Sequence, residues 1–180
     1  MAKKTILVTK PITDQALRSL QQIFIVKTIH EYGSINKIPL ADLESIRGIA
    51  GGKVSAELIS KLPNLEIIAN SGVGIDSNDI DSIRARNIAI TNTPNVLNKS
   101  VAELTLALMF ALARQIPKAD TFVRNGDWNS GAFPLGVELD SASVGLVGMG
   151  NIGTEIATKL TAVNMHVSYY CRTKRRQVPY

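Results

Sequence analysis

One segment constrains the fold of this chain more than any other, because it places three glycines between a strand and a helix. Gly148, Gly150 and Gly153 have the spacing G-x-G-x-x-G. The apolar run "VGLV" precedes them, a helical pattern follows, and "HVSYY" then predicts a second strand. This order is typical of a βαβ unit that holds the pyrophosphate of a dinucleotide at the start of its helix.

Each glycine of the turn has its own physical reason in such a unit. Gly148 allows the tight turn, Gly150 lets the backbone approach a pyrophosphate, and Gly153 lets the helix pack against the strand. A glycine turn with only a structural role is the alternative. The predicted cofactor-binding residues of the turn are Gly148, Met149, Gly150, Asn151, Ile152 and Gly153.

The end of the second predicted strand bears on which dinucleotide would bind. NAD-preferring units carry an Asp or Glu about 20 residues beyond the glycines, whereas Tyr170 and Cys171 stand here. Arg172 can pair with a 2′-phosphate and Thr173 can donate a hydroxyl hydrogen bond. We therefore predict that Cys171, Arg172 and Thr173 contact the cofactor, and that NADP(H) is favoured over NAD(H). A solvated basic terminus is the alternative.

The positive charge of the chain is concentrated near one end. The formal net charge is +5, and Arg172 together with residues 174–176 supplies four of these units. The rest of the chain is therefore close to neutral. Only 5% of the residues are aromatic, although sequence-tolerant nucleic-acid binding relies on aromatic stacking. Nucleic acid is disfavoured as a partner.

Cysteine usage and hydropathy exclude several further classes of protein. The chain has a single cysteine, Cys171, which excludes an internal disulfide framework and every multi-cysteine metal motif. No metal site is predicted. A membrane-spanning helix needs an apolar run of about 18 residues, and "LTLALMFALA" is too short. A reducing cytoplasm is the predicted location.

Strands alternate with helices over the first 97 residues, which predicts a parallel α/β sheet covered on both faces. The predicted strands lie at 5–9, 24–29, 48–52, 65–70 and 88–93. The predicted fold class is α/β: a flavodoxin-like parallel-sheet substrate domain, a long linker helix, and an incomplete Rossmann (βαβ) nucleotide-binding unit. The predicted domains are residues 1–97 and residues 98–180.

Residues 98–125 predict one long helix that is apolar on most of its sides. Ser100 and Glu103 have the spacing of a capping box, with Asn98 as an alternative cap. Pro117 predicts a kink or a division of the helix. A helix apolar on several sides must be covered on several sides. Two interpretations are open: a linker helix that also makes a homodimer contact, and ordinary core packing.

Four segments of the chain together resemble a known family. They are "NSGVGIDSNDID", "NIAITNTPNVLNKSVAELTLALM", "FVRNGDWNSGAFPLG" and "SVGLVGMGNIGTEIA". In order and spacing they resemble the D-isomer-specific 2-hydroxyacid dehydrogenases, especially the glyoxylate/hydroxypyruvate reductase branch. The resemblance implies NAD(P)H-dependent reduction of a 2-keto acid (glyoxylate, hydroxypyruvate or similar) to a D-2-hydroxy acid by hydride transfer.

The resemblance also implies roles for particular residues. The backbone N–H groups of Val73 and Gly74 would bind the carboxylate of the keto acid, with Ser71 and Gly72 shaping the turn. Consecutive amides in a glycine-rich turn can form such an anion-binding nest, and a plain strand-to-helix turn is the alternative. Val101 would lie near the nicotinamide of the cofactor.

The family's catalytic Arg, Glu and His come from a later part of the nucleotide domain, so no catalytic residue is predicted in this chain. His30 and His166 are predicted to be structural. We expect the 180 residues to be the N-terminal portion of a dehydrogenase, whether a truncated product, a crystallised fragment or a shortened reading frame. The alternative is a non-catalytic dinucleotide-binding or dimerisation module.

We expect the purified chain to show no turnover, because the implied proton donor and alkoxide-stabilising cation are missing. The measurement is NADPH absorbance with glyoxylate or hydroxypyruvate, against a control without keto acid. Oxidation of NADPH that depends on the keto acid would contradict the expectation.

Overall fold

The computed structural model describes residues 2–173. The chain divides after Pro94 into two compact units, 1–94 and 95–180, whereas the sequence predicts a boundary after residue 97. Within the described residues, none of the helices combines the length and the apolar content that crossing a bilayer requires.

The first unit is built on a five-stranded sheet whose neighbouring strands all run parallel. The strand order is β2-β1-β3-β4-β5, which is the order of flavodoxin-like sheets. The direction of winding changes between β1 and β3, and such switch points are where these sheets bind ligands. The strands are β1 (Thr5–Val8), β2 (Ile25–Thr28), β3 (Ile46–Gly51), β4 (Ile67–Asn70) and β5 (Ala89–Thr91).

Short helices connect these strands, and side-chain caps start four of the five, the exception being α3 after Pro39. The sequence offers Thr13 or Asp14 as the first cap, and Thr13 accepts a hydrogen bond from the Ala16 amide and begins the first helix. The helices are α1 (Asp14–Ile23), α2 (Ile29–Tyr32), α3 (Leu40–Ser45), α4 (Ala56–Lys61) and α5 (Ile80–Ala85).

The sequence also predicts Asp76 as the cap of a helix over residues 76–87 and His30 at the end of a strand, and both predictions are wrong. Asp76 is not the cap of α5, because Asp79 Oδ1 accepts the hydrogen bond from the Ser82 amide at 2.8 Å. Residues 75–78 form a turn instead, closed by the Asn78 N–H and the Ile75 carbonyl. His30 does not end a strand, because a capping box between Thr28 and Glu31 starts the helix α2 there.

The core of the first unit lies on both faces of its sheet. Every member of β1 is buried, as expected for a central strand of a parallel sheet. Each of the largest core side chains is less than 2% exposed: Leu7, Ile46, Val54, Ile59, Leu62 and Ile68. This packing fixes the ends of the strands and thereby the loops that follow them.

An ion pair connects the edge strand β2 to α3, and a hydrogen bond connects α3 to α2. Lys27 Nζ lies 2.8 Å from Asp42 Oδ1, and the Tyr32 hydroxyl donates to Asp42 Oδ2 at 2.8 Å. The hydrogen bonds from Lys27 and Tyr32 hold the pKa of the Asp42 carboxyl below its ordinary value. Asp42 therefore stays ionised and keeps both contacts at neutral pH.

In the second unit the predicted helix 98–125 is divided in two. The helices are α6 (Asn98–Ala113) and α7 (Ile116–Arg124). Gln115 between them has a left-handed backbone with φ 53°, and Pro117 lies in the first turn of α7. The predicted caps are wrong: Leu97 is the N-cap of α6 and makes no side-chain capping bond, so Asn98 and Ser100 lie inside the first turn.

The remainder of the second unit contains a strand, a helix and a parallel strand. They are β6 (Ser143–Val147), α8 (Asn151–Ala162) and β7 (His166–Tyr170). β6 and β7 pair in register from Ser143 with His166 to Val147 with Tyr170. Met149, Ala157, Leu160 and Met165 are buried and form the local core. The turn between β6 and α8 is the glycine segment.

Candidate functional site

The loops that follow the strands of the first unit lie at one edge of its sheet, because all five strands run parallel. Thr9 and Lys10 follow β1, residues 52–53 follow β3, residues 71–74 follow β4, and Asn92 follows β5. Ligands of doubly wound sheets bind outside these carboxyl ends. The loop 71–74 contains the residues that the sequence predicts to bind a carboxylate.

Two asparagine side chains hold the loop 71–74 by its carbonyl groups. Asn70 Nδ2 donates to the Gly72 carbonyl at 3.1 Å and to the Gly74 carbonyl at 3.0 Å. Asn92 Nδ2 donates to the Val73 carbonyl at 2.7 Å. Three successive carbonyls therefore face the protein.

This arrangement turns the neighbouring amide groups outward. No peptide bond among residues 2–173 is cis, and in a trans peptide the C=O and N–H groups point in opposite directions. Tying down the carbonyls of Gly72 and Val73 thus directs the N–H groups of Val73 and Gly74 away from the protein. Among residues 2–173, neither N–H has a hydrogen-bond acceptor. Adjacent free amides of this kind suit an anion.

Ser71 holds the start of the loop 71–74. Its N–H donates to the Gly51 carbonyl at 2.5 Å, and its hydroxyl donates to the same oxygen at 3.1 Å. The start of the loop is thereby fixed to the end of β3. Gly72 and Gly74 leave room for the Asn70 amide and for Asp76, whose Oδ2 would lie 3.0 Å from a Cβ built on Gly74.

The anchor of the loop is itself held by a buried polar network that sequence reasoning missed. Asn70 and Asn78 are only 4% and 5% exposed. Asn78 Nδ2 donates to Asn70 Oδ1 at 3.2 Å, and Asn78 Oδ1 accepts from the Val54 amide at 3.1 Å. The available signal was an Asn at the end of an apolar strand, directly before a glycine turn.

The glycine turn of the second unit has the geometry that a pyrophosphate needs. Gly148 has φ +107°, and a Cβ on Gly153 would lie 2.3 Å from the Gly148 carbonyl oxygen, so both positions require glycine. A Cβ on Gly148 or Gly150 would meet nothing within 4 Å, so the backbone is approachable from outside. Gly150 makes no side-chain cap for α8, which leaves the N–H groups of its first turn available. The residues fit a dinucleotide.

The other residues of the turn differ in what they expose. Met149 is 1% exposed, so only its backbone can face a ligand. Asn151 Nδ2 donates to Asn95 Oδ1 at 2.7 Å, and Ile152 is half-buried. A cavity of about 460 Å³ adjoins this helix start and is lined by Asn95, Val96, Asn98, Lys99, Asn151, Thr154 and Glu155.

The predicted cofactor-selecting residues lie beside the first glycine. The Gly148 amide donates to the Tyr170 carbonyl at 2.8 Å, which places the end of β7 next to the turn. The Cys171 thiol donates to the Thr173 carbonyl at 2.8 Å, while Arg172 and Thr173 are exposed. Residues 174–176 of the basic run lie outside the described residues.

Three further predicted residues are placed as follows. Val101 is half-buried in the first turn of α6, where its carbonyl accepts from the Thr105 hydroxyl at 2.8 Å. His30 and His166 are both exposed, on α2 and at the start of β7. Over residues 2–173 there is no group of three His, Cys, Asp or Glu side chains that could hold a metal ion.

Comparisons with known proteins identify the family of this chain. The family model described as "D-isomer specific 2-hydroxyacid dehydrogenase, catalytic domain" matches residues 6–172. A protein of Arabidopsis thaliana named glyoxylate/hydroxypyruvate reductase A is 40% identical over 138 residues, which are 77% of this chain and 44% of that protein. A 2-ketogluconate reductase of Gluconobacter oxydans is 38% identical over 94% of this chain and 54% of its own length.

Solved structures give the same result. The NADPH-dependent glyoxylate/hydroxypyruvate reductase of Sinorhizobium meliloti, solved with NADP and malonate, superposes with a TM-score of 0.86 at 37% identity, over 99% of this chain and 56% of that one. A D-lactate dehydrogenase of Aquifex aeolicus, complexed with NAD and lactic acid, has a TM-score of 0.80 at 27% identity, over 95% and 52%. The chain spans about half the length of the curated relatives it matches.

The substitution Asn78→Ala should lower the free energy of unfolding of the first unit by about 1–3 kcal/mol, because it leaves the Asn70 amide oxygen and the Val54 N–H buried without a partner. Urea titration followed by circular dichroism measures this change. Asn64→Ala is the matched control, since it removes one exposed hydrogen bond to the Glu44 carbonyl and should have a much smaller effect. Equal losses in the two variants would contradict the role given to Asn78.

Proposed function

The chain belongs to the D-isomer specific 2-hydroxyacid dehydrogenases, which are oxidoreductases acting on CH–OH donors, and from that premise we propose that it carries two binding sites of a 2-keto acid reductase. The substrates would be glyoxylate, hydroxypyruvate or a similar 2-keto acid, reduced to the D-2-hydroxy acid. One observation carries the proposal: the N–H groups of Val73 and Gly74 point outward from a loop held by its carbonyls.

In this proposal the loop 71–74 binds the carboxylate of the keto acid. Val73 and Gly74 donate to its oxygens, and Ser71 and Gly72 hold the turn in shape. Backbone donors recognise a carboxylate without placing a charged side chain next to the carbon that is reduced. They bind any 2-keto acid of suitable size, which agrees with the varied substrates in the names of the relatives.

We assign the dinucleotide to the second unit. The N–H groups of residues 150–153 at the start of α8 would bind the pyrophosphate, with Gly148 and Met149 forming the turn. Val101 would lie near the nicotinamide, whose chemical contribution is the transferred hydride. Arg172 and Thr173 would hold a 2′-phosphate, with Cys171 as the small neutral neighbour, so we propose NADP(H) over NAD(H).

The finer domain arrangement is part of the same proposal. Residues 1–97 would be the substrate domain, α6 the linker helix, and β6-α8-β7 the first half of a Rossmann domain. None of the described residues is proposed as a catalytic residue. A cytoplasmic location stays a prediction that rests on the single cysteine.

A homodimer through residues 98–125 is supported by an apolar stripe on α6. Leu104, Leu108 and Leu112 are spaced four residues apart and therefore share one face of the helix. Their exposed fractions are 59%, 60% and 81%. Contiguous exposed leucines of this kind mark association surfaces. The non-catalytic alternative, a dinucleotide-binding and dimerisation module, would use the same stripe.

The cofactor proposal predicts that the chain binds NADPH more tightly than NADH, and that Arg172→Ala raises the dissociation constant for NADPH about five- to tenfold. The reason is the loss of an exposed charge-assisted contact to the 2′-phosphate. Isothermal titration calorimetry measures both cofactors. NADH affinity should not change, and Arg124→Ala, which removes an arginine paired with Asp120, is the control. Equal affinity of the unmodified chain for both cofactors would refute the preference.

The dimer proposal predicts a mass of two chains in light scattering, which falls to one chain in Leu108→Glu because a charge would be buried in the apolar contact. Thr158→Glu, on the exposed surface of α8, is the matched control and should leave the mass unchanged. A single-chain mass for the unmodified protein at every concentration tested would argue against the contact.

A further inference from the structure

Lys10 lies at the switch point of the first sheet and has no part in the site described above. It follows β1, and Gly52 follows β3, the strand that pairs with β1 on the side towards β4. Ligands of doubly wound sheets bind at the point where the winding reverses. A charged side chain at this point lies where a ligand of the unit would be found.

The ammonium group of Lys10 and the amide oxygen of Asn70, which anchors the carboxylate loop, both lie close to Gly52. Lys10 Nζ is 3.3 Å from the position of a Cβ built on Gly52, and Asn70 Oδ1 is 2.6 Å from the same position. Gly52 is buried, so these two side chains cover it. Asn70 in turn holds the carbonyls of Gly72 and Gly74. Asn70 therefore links the two features: it holds the loop 71–74, and it approaches the same glycine as Lys10.

Lys10 differs from other lysines of the sheet in having no partner. Lys4 Nζ lies 2.6 Å from Glu66 Oε2, and Lys27 Nζ lies 2.8 Å from Asp42 Oδ1. Among residues 2–173, the ammonium group of Lys10 has no hydrogen bond and no ion pair. It can therefore bind a ligand without breaking an existing contact.

The charge balance of the loop favours a cation at this place. The Asp76 carboxylate lies beside Gly74 and repels a carboxylate ligand bound at the loop amides. An anion at this place is more stable with a cation within several ångströms. Lys10 supplies positive charge near Gly52, which the anchor Asn70 also approaches.

We propose that Lys10 is a specificity residue, whose ammonium group binds an oxygen at the end of the keto acid distant from the loop-bound carboxylate. This inference rests on the proposed function of the loop 71–74. It defines the preferred substrates as 2-keto acids with a hydroxyl or carboxylate oxygen on the carbon beyond the keto group. Glyoxylate has no such oxygen.

The test uses three 2-hydroxy acids that differ only at this end: glycolate has no added group, D-glycerate adds a hydroxyl-bearing carbon, and tartronate adds a carboxylate. Each is titrated into the ¹⁵N-labelled chain, with the amide signals of Val73 and Gly74 as reporters of binding. The expected order of affinity is tartronate, then D-glycerate, then glycolate. The affinity should fall about two- to fivefold at each step of this order, which is the effect expected from the loss of one exposed charged contact.

Lys10→Met should abolish this order and lower the affinity for glycolate less than the affinity for tartronate, and Lys10→Arg should restore the order. Lys3→Met is the control, since Lys3 precedes β1 and lies at the opposite edge of the sheet, bonded to the Gln21 carbonyl. If Lys10→Met binds the three acids in the same order as the unmodified chain, the specificity role is wrong and the carboxylate site stands. If no acid shifts either amide signal, the carboxylate site itself is wrong and the inference fails with it.

Discussion

The amide group of Asn70 makes the contacts on which the first unit's candidate site depends. Its nitrogen donates to two carbonyls of one loop, at 3.1 and 3.0 Å, and its oxygen accepts from Asn78 at 3.2 Å. A buried amide has to satisfy both its donors and its acceptor, so its position in the core dictates how the loop above it is oriented. The outward direction of the loop amides is a consequence of that requirement.

The parallel sheet supplies the rigidity that such a network needs. Asn70 is the last residue of β4, and its neighbour β3 ends at Gly51, to whose carbonyl Ser71 is bonded. Core side chains such as Leu7 and Ile68 have no solvent-exposed surface, so neither strand can shift without opening a cavity. A loop that would otherwise be mobile thus keeps one conformation before any ligand arrives.

The sequence predicted some parts of this structure well and others poorly, for physical reasons. Strands and the G-x-G-x-x-G turn are encoded locally, by apolar periodicity and by glycines that sterics require. The starts of helices were harder to predict, because Asp76 and Asp79 both have a side chain that can cap a helix. Only the tertiary hydrogen bond from the Asp79 amide to the Val54 carbonyl distinguishes them. The Asn70–Asn78 contact and the Lys10 position depend equally on residues brought together by folding. The division of the long helix, in contrast, follows the local signal of Pro117.

The residue at position 52 can be used to classify related sequences, because Gly52 lies close to both Lys10 and Asn70. Any side chain at this position would have to occupy the space that Asn70 Oδ1 and Lys10 Nζ approach to within 2.6 and 3.3 Å. A homologous protein with a larger residue there must move the lysine, reorient the amide, or support its loop by other means. One letter of an aligned sequence therefore indicates whether the ammonium group and the amide anchor can coexist.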